Sequence, residues 1–364
     1  MQLEINFPGI DISKGNTLLF LDEIQACPNA RVALKTFAMD RTIDVIASGS
    51  LLGLYYKEVR SYPVGYERPV DMYALDFEEF LWAIGISKDI ISELRKAFIN
   101  KTQINESILE KMQEYFNMYV IVGGMPAVVN KYIETQSLSR VLVKQREIID
   151  EYRFDILKYA PARDRQKILV TFDSIPSQLS KKKKFKYSDI DISSDSASER
   201  KYMSSIQWLK DAGIVNLCYN LSEPALPLNS NRRLESFKVY MRDTGLLVSL
   251  MENGVQKALL NKDLYINEGG IIESVCASEI KTRFDSITYF EKKSKLEIDF
   301  ILNIEGEAVA LEVKSGNNKQ AKSLQSIISN YKTVTRYIKL EYNTNIYIDE
   351  NNIEHYPLFM IMFI

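Results

Sequence analysis

Two adjacent carboxylates follow a short apolar run near the beginning of the sequence. Asp22 and Glu23 come directly after residues 18–21 (LLFL), and Ser48 follows a second apolar run at residues 43–47. At the ends of neighbouring strands, the first acid can hold the Mg²⁺ that bridges nucleotide phosphates, and the second can polarise the attacking water. Ser48 can hydrogen-bond the same water or the terminal phosphate. The pattern indicates nucleotide hydrolysis, and an ordinary strand end explains it equally well.

A second group of polar residues lies in the string EIDFILNIEGEAVALEVKSG. Asp299 precedes Glu312 by thirteen residues, and Lys314 follows two residues later. The Glu-Gly turn at residues 305–306 predicts a hairpin that brings Asp299 and Glu312 to the same end. Since side chains alternate along a strand, Glu312 and Lys314 share one face.

The chemistry available to this second group is metal-dependent hydrolysis. Two carboxylates and an amine that converge can hold Mg²⁺ and activate water against a phosphodiester. Glu273, on the preceding predicted helix, can add a third carboxylate. Two alternatives stay open: an ordinary ion pair on an edge strand, and a fold that keeps these residues without using their chemistry.

The segments around Asp22, Glu23 and Ser48, the first group of polar residues, predict two parallel strands joined by a helix. Residues 18–21, 28–39 and 43–47 have the pattern of strand, helix and strand that is typical of a parallel sheet. A long helical region follows at residues 76–159, with an interruption at GGMP, residues 123–126.

The rest of the sequence predicts two further arrangements. Residues 163–242 read as helices followed by two strands, which is the winged-helix arrangement. Residues 246–364 read as a helix, three strands, a helix and two strands. The second group of polar residues lies on the strands of this last stretch.

The composition is that of a globular chain without a strong overall charge. Of 364 residues, 46% are hydrophobic and 26% are charged, and the net charge is -2. These values exclude the disordered and low-complexity classes. They also provide no overall field that attracts nucleic acid or an anionic membrane. The lysine run KKKKFK at residues 181–186 can contact phosphates locally, or it is a solvated loop.

Cysteine and histidine content excludes several kinds of site. Cys27, Cys218 and Cys276 lie far apart without CxxC spacing, and His355 is the single histidine. Zinc knuckles, disulfide frameworks and histidine-dependent triads are therefore not expected. A reducing cytoplasm is the expected location. The start MQLEINFPGI does not have the pattern of a signal peptide, and no apolar run approaches the roughly 20 residues that span a bilayer.

Four longer strings carry a resemblance to a known family: LLFLDEIQACPNARVALKTF, VIASGSLLG, SYPVGYERPVDMYALDFEEFLWA and YVIVGGMPAVV. They closely resemble prokaryotic AAA-superfamily ATPases that carry a C-terminal domain of unknown function, DUF4143. The resemblance implies that LFLDEIQ is the Walker B strand and that ATP and Mg²⁺ are the cofactors. It also implies that Asp22 is the Mg²⁺-associated acid, Glu23 the catalytic glutamate and Ser48 a nucleotide-binding residue at the sensor position.

The sequence departs from this family in its phosphate-binding loop. The motif GxxxxGK[ST] should precede Walker B, but the 21 residues before Asp22 do not contain it. Without the backbone N–H groups and the lysine of that loop, the β- and γ-phosphates have no cradle. We therefore expect an N-terminally truncated family member that binds ATP weakly or not at all.

The second group is similar to the PD-(D/E)xK nuclease superfamily, whose core is a helix, three strands, a helix and a strand. The resemblance implies that Asp299, Glu312 and Lys314 are catalytic. It also implies that Glu273, Asp299 and Glu312 are metal ligands, in addition to Asp22 in the first group.

The expected fold is α/β in four parts. These are a partial AAA P-loop-type parallel sheet at residues 1–70, a helical lid at 71–160, a winged-helix-like segment at 161–245 and a restriction-endonuclease-like DUF4143 domain at 246–364. The favoured function is a cytoplasmic AAA-type ATPase, defective in ATP binding, that acts on or near DNA and can form a homo-oligomer. The alternative is a non-catalytic interaction module, in which the ATPase core assembles oligomers and the nuclease-like fold is a docking surface.

Overall fold

The computed structural model describes residues 9, 17–49, 65–180, 184–190, 199–251, 254–260, 268–292, 296–315 and 322–364. The chain divides into two compact units, Met1–Met72 with Gln207–Gly213, and Tyr73–Ile206 with Ile214–Ile364. Residues 181–183 of the lysine run lie outside the described residues.

A strand–helix–strand element lies in the first unit. Strand β1 (Leu18–Leu21) pairs in parallel with β2 (Asp44–Ala47), and helix α1 (Pro28–Asp40) connects them. Proline at the first turn suits the helix start, because its missing N–H has no partner there in any case. The parallel pairing predicted from the apolar runs is confirmed.

One face of this strand pair exposes large apolar side chains. Leu18, Phe20 and Ile46 are 58%, 57% and 51% exposed. Phe20 lies directly opposite Ile46 in the parallel register, so the three side chains share one face. An exposed apolar patch of this kind is typical of a surface that associates with another surface.

The other helices of the described residues follow the strand–helix–strand element in the sequence. Their bounds are α2 (Phe77–Ala83), α3 (Lys88–Asn100), α4 (Glu106–Val122), α5 (Pro126–Thr135), α6 (Leu138–Tyr159), α7 (Arg165–Ser180), α8 (Glu199–Asp211), α9 (Thr244–Ser249), α10 (Val255–Leu260), α11 (Glu268–Arg283) and α12 (Lys322–Asn330). Side-chain caps fix several starts; Asp76 and Glu79 form a capping box on α2. Among the helices that the structure describes, none combines the length and apolar content that a membrane crossing requires.

The second unit contains two sheets. The four-stranded sheet has the order β4-β3-β5-β6 and consists of β3 (Val215–Leu221), β4 (Arg232–Met241), β5 (Ile287–Lys292) and β6 (Leu296–Ile298). The five-stranded sheet has the order β10-β11-β9-β8-β7 and consists of β7 (Phe300–Ile304), β8 (Glu307–Lys314), β9 (Arg336–Glu341), β10 (Tyr347–Ile348) and β11 (Ile353–Pro357).

The two strands expected as a wing, β3 and β4, do not form a separate wing. They pair with each other, but β3 also pairs in parallel with β5 from Cys218↔Ile287 to Asn220↔Tyr289. The Asn220 side chain accepts a hydrogen bond from the Glu291 N–H at 2.9 Å. The boundary expected at residue 245 therefore runs through one sheet. The reason is a pairing between segments about 70 residues apart in sequence, which local alternation does not encode.

The helices expected as an ATPase lid, residues 71–160, belong from Tyr73 onward to the unit that contains both C-terminal sheets. Glu279 on α11 joins them to that unit. Its Oε1 accepts hydrogen bonds from the Phe77 N–H and the Tyr119 hydroxyl, each at 2.9 Å. The structure therefore groups these helices with the strands of the two C-terminal sheets.

Glu279 is a fully buried carboxyl group whose protonation is coupled to folding. Burial, followed by the neighbouring Asp76 carboxylate, raises its pKa from 4.5 to about 7, although Arg283 and the two hydrogen bonds at Oε1 oppose the shift. The native state therefore binds more protons than the unfolded state between these two pH values. This contribution to stability is largest at low pH and falls as the pH rises toward 7.

Replacement of Glu279 by glutamine is expected to remove this pH dependence. Between pH 5 and pH 8, the free energy of unfolding of E279Q should rise relative to that of the wild type by roughly 2.5 kcal/mol, because only the wild type must ionise a buried acid. Urea unfolding at the two pH values measures the difference. The matched control is E110Q, since Glu110 is exposed on α4. The prediction would be wrong if the free energy of unfolding of E279Q differed from that of the wild type by the same amount at pH 5 and at pH 8.

Candidate functional site

In the first unit, the structure brings Asp22 and Ser48 together at the carboxyl ends of β1 and β2. The Ser48 hydroxyl donates to Asp22 Oδ1, and the Glu23 N–H donates to the same oxygen at 3.0 Å. Glu23 has a left-handed backbone, with φ of 52°, and its side chain accepts a hydrogen bond from Gln25. The predicted acid and the predicted sensor serine therefore touch, and the predicted catalytic glutamate faces Gln25.

In the second unit, the hairpin of β7 and β8 positions the second group. Its two-residue turn has positive φ at both Glu305 and Gly306, which matches the twist of the flanking strands. Phe300 pairs with Leu311, so Asp299 lies at the same end as Glu312. The Lys314 ammonium is 2.6 Å from Glu312 Oε1, as the alternation along β8 predicts.

Asp299 interrupts what the sequence predicts as one continuous strand. Leu296–Ile298 pairs with β5, whereas Phe300–Ile304 pairs with β8, so the chain passes from one sheet to the other at Asp299. The side chain is fixed there because its Oδ2 accepts a hydrogen bond from the Val313 N–H at 2.8 Å. The carboxylate therefore lies where the two sheets separate.

The site is buried and negatively charged. Burial, followed by the nearby Glu273 carboxylate, raises the pKa of Asp299 to about 7. Lys238, the Val313 N–H and Lys314 oppose this shift. A buried carboxyl group that resists ionisation beside other acids is a common feature of functional sites.

Glu312 has one carboxylate oxygen for which the described residues provide no partner. Its side chain is 3% exposed, and Lys314 contacts only Oε1. Oε2 is buried and has no hydrogen-bond partner among the described residues. A buried carboxylate oxygen without a partner is costly, so this oxygen is available to a group outside the described residues.

Glu273 is placed differently from the expected metal ligand. Its Oε1 accepts a hydrogen bond from Lys238 Nζ at 2.6 Å and another from the Tyr240 hydroxyl. Lys238 also forms an ion pair of 2.6 Å with Glu297. One oxygen of Glu273 therefore already has a cation and a hydroxyl as partners, and its role as a metal ligand stays a prediction.

Sequence reasoning missed Lys238, Tyr240 and Glu297. The signal for Lys238 was present, because a single lysine interrupts the apolar run FKVYM of β4. Lysine is almost never fully buried unless it is paired. Its partner Glu273 lies 35 residues further along the chain, and the sequence alone does not identify it.

The donor set limits which cation the site can take. Among the residues that the structure describes, no group of three or more His, Cys, Asp or Glu side chains is placed to hold a metal ion. Asp299 and Glu312 remain as candidate ligands. Lys314 contacts one oxygen of Glu312, and the Val313 N–H contacts one oxygen of Asp299. Mg²⁺ is commonly bound by one or two carboxylates, with waters and substrate phosphates completing its coordination. In type and number, Asp299 and Glu312 match the protein ligands of such an ion.

Three family models match parts of the chain. Residues 3–81 match a model described as an AAA domain, residues 113–257 match a domain of unknown function, DUF8612, and residues 268–359 match a domain of unknown function, DUF4143. No curated protein and no solved structure gives a significant match. The DUF8612 match extends across the boundary expected at residue 160. The chain thus carries an AAA domain in its N-terminal part and a DUF4143 domain in its C-terminal part.

Proposed function

We propose that this AAA-type ATPase-like chain hydrolyses phosphodiester bonds of DNA at a metal-dependent, nuclease-like site in its DUF4143 domain. The observation that carries the proposal is the buried Oε2 of Glu312, beside Lys314, for which the described part of the chain provides no hydrogen-bond partner. Asp299, on the adjoining strand end, supplies the second carboxylate. This is the donor set that a hard divalent cation requires.

Each residue of the site has a distinct role. Asp299 and Glu312 hold a divalent cation, which when bound supplies Lewis-acid catalysis and lowers the pKa of a water molecule. Lys314 lies 2.6 Å from Glu312 and stabilises the negative charge that develops on the phosphate. The Val313 N–H fixes the orientation of Asp299.

A cleft of about 820 Å³ beside β6 supports DNA as the substrate. Lys292, Leu296, Tyr331 and Lys332 contribute to its lining, and Lys292 Nζ is 3.0 Å from the Tyr331 hydroxyl. Ammonium groups contact phosphates, and an aromatic ring can stack on a base. Lys292 and Leu296 are paired and line the cleft, whereas Glu297 points to the other face of the β5–β6 pair, so the cleft and the carboxylate cluster lie on opposite faces of these two strands.

Incubation of the purified chain with supercoiled plasmid tests the proposal. Nicked or linear DNA should accumulate with Mg²⁺ or Mn²⁺ and not with EDTA. Equal accumulation with EDTA would exclude a metal-dependent site. No cleavage with any divalent cation, on double- or single-stranded DNA, would contradict nuclease function.

We further propose that this chain binds Mg·ATP weakly. Asp22 and Ser48 are in contact, but the sequence contains no GxxxxGK[ST] to hold the β- and γ-phosphates. Titration calorimetry of the chain with Mg·ATP should detect no binding in the low micromolar range, which corresponds to about -8 kcal/mol. A dissociation constant in that range that is lost in D22N would show that another segment supplies the cradle.

A second candidate is a non-catalytic interaction module. Two observations favour it: Lys238 already neutralises Glu273, and Leu18, Phe20 and Ile46 expose an apolar face on β1 and β2. In this case the chain forms homo-oligomers and the nuclease-like fold is a docking surface. Plasmid that stays intact, together with concentration-dependent association in analytical ultracentrifugation, would favour the module over the nuclease.

A further inference from the structure

Lys238 is a buried cation at the centre of the carboxylate cluster. Its side chain is 4% exposed, and its Nζ lies 2.6 Å from Glu273 Oε1 and 2.6 Å from Glu297 Oε1. The ammonium also lies 5.0 Å from the centre of the Tyr289 ring. Carboxylates from two different elements, α11 and β6, therefore converge on one cation supplied by β4.

The charges of the cluster indicate how many cations it can take. Four carboxylates face two ammonium groups, which leaves two negative charges when all are ionised: Glu273, Glu297, Asp299 and Glu312 against Lys238 and Lys314. This excess equals the charge of one divalent cation. Without Lys238, the excess would be three, and Glu273 would lose its cationic partner.

We infer that the Lys238 ammonium takes the place of a second divalent cation, so that the site holds a single metal ion between Asp299 and Glu312. This inference rests on the proposed function. Lys238 then acts as a positioning residue: it holds Glu273 and Glu297 away from the metal and limits the number of ions to one. The geometry supports this role, because one Nζ contacts two carboxylates at the distance of charge-assisted hydrogen bonds.

The protonation of Lys238 is consistent with a permanent cation. Burial disfavours the charged form, but the Glu273, Glu297 and Asp299 carboxylates outweigh it and hold the pKa of Lys238 well above its usual value. A neutral amine is therefore not expected here at any physiological pH. A fixed charge of this kind does not dissociate when a chelator removes metal.

Titration calorimetry with Mn²⁺ on the full chain, after removal of metal with a chelator, tests the inference. K238M should bind one more Mn²⁺ per chain than the wild type, because Glu273 and Glu297 become available as ligands. K238M/E273Q is the matched control: it lacks the same ammonium but also one of the freed carboxylates, so it should bind the same number as the wild type. E312Q should bind one fewer, which tests the metal site itself.

The outcomes separate the inference from the proposed function. If K238M binds the same number of ions as the wild type while E312Q binds one fewer, Lys238 forms only a structural ion pair and the inference is wrong. If E312Q binds as many ions as the wild type, the proposed metal site is wrong, and an extra ion in K238M would still support Lys238 as a substitute for a cation.

K238M can fail to fold because it leaves buried carboxylates without a counter-ion. The variant is therefore also prepared with Mn²⁺ throughout. The inference is supported if K238M is recovered only with Mn²⁺ and then unfolds when EDTA is added. The wild type should stay folded at the same EDTA concentration. Failure to recover the variant in either buffer contradicts it.

Discussion

Replacement of Glu312 by glutamine is expected to lower the rate of Mg²⁺-dependent plasmid cleavage on the order of 100-fold or more. Glutamine keeps the shape of the side chain, and its oxygen can still accept the hydrogen bond of Lys314. It removes the negative charge from Oε2, the buried oxygen that contacts no donor within the ranges that the structure describes. The loss should therefore fall on metal binding and not on the fold. Cleavage rates at several Mg²⁺ concentrations measure the effect.

The control for E312Q lies on the same strand. Glu307 begins β8 and is exposed, so E307Q should cleave at the wild-type rate. The metal-free E312Q chain should stay folded with a stability in urea close to that of the wild type, because the amide keeps an acceptor for Lys314 and exchanges one buried unpaired polar atom for another. A cleavage rate of E312Q equal to that of E307Q would contradict the assignment of Glu312 to the site.

The hairpin that carries this site could be predicted from the sequence because its determinants are local. The turn at residues 305–306 and the alternation along β8 fix which residues share a face within a stretch of sixteen residues, from Asp299 to Lys314. The contact of Lys314 with Glu312 follows directly from that alternation. The parallel pair β1 and β2 was predictable for the same reason, since two apolar runs flank one helix.

The partners of the site could not be predicted, because distant segments supply them: Lys238 contacts Glu273 across 35 residues of sequence. The same holds outside the site, where the Phe77 N–H contacts Glu279 across 202 residues. The sequence also did not predict that the strand is interrupted at Asp299, because alternating apolar residues continue on both sides of it. A one-dimensional pattern states which face a residue occupies, but not which other segment covers that face.

The sequence also did not predict that the helices of residues 73–160 belong to the unit of the two C-terminal sheets. The family resemblance implied that residues 71–160 are the lid of an ATPase, but a lid and a helical layer on a sheet have the same amphipathic pattern. What decides between them is where the backbone polar groups at the helix ends find partners. For α2, the Phe77 N–H finds Glu279 on α11, within the unit of the C-terminal sheets.

Replacement of Gly124 by alanine is expected to destabilise the second unit by about 3 kcal/mol or more. A Cβ at this position would lie 1.9 Å from the Leu75 carbonyl oxygen, which is backbone and cannot rotate away. The two segments are also joined by hydrogen bonds: Leu75 N–H donates to the Gly124 carbonyl at 2.8 Å, and Gly124 N–H donates to Asp243 Oδ2 at 2.7 Å. Any movement that relieves the clash breaks them. Urea unfolding measures the loss.

Gly85 provides the control that separates a clash from backbone strain. It has a φ of +92°, but a Cβ there would meet no atom within 4 Å. G85A should therefore lose only about 1–2 kcal/mol, the usual cost of a left-handed conformation for an L-residue. Because Gly124 does not have a positive φ, the stability lost in G124A must come from the close approach of Leu75 and from the hydrogen bond to Asp243. Equal losses for G124A and G85A would mean that the Leu75 segment moves aside freely, and that the Asp243 contact does not fix it.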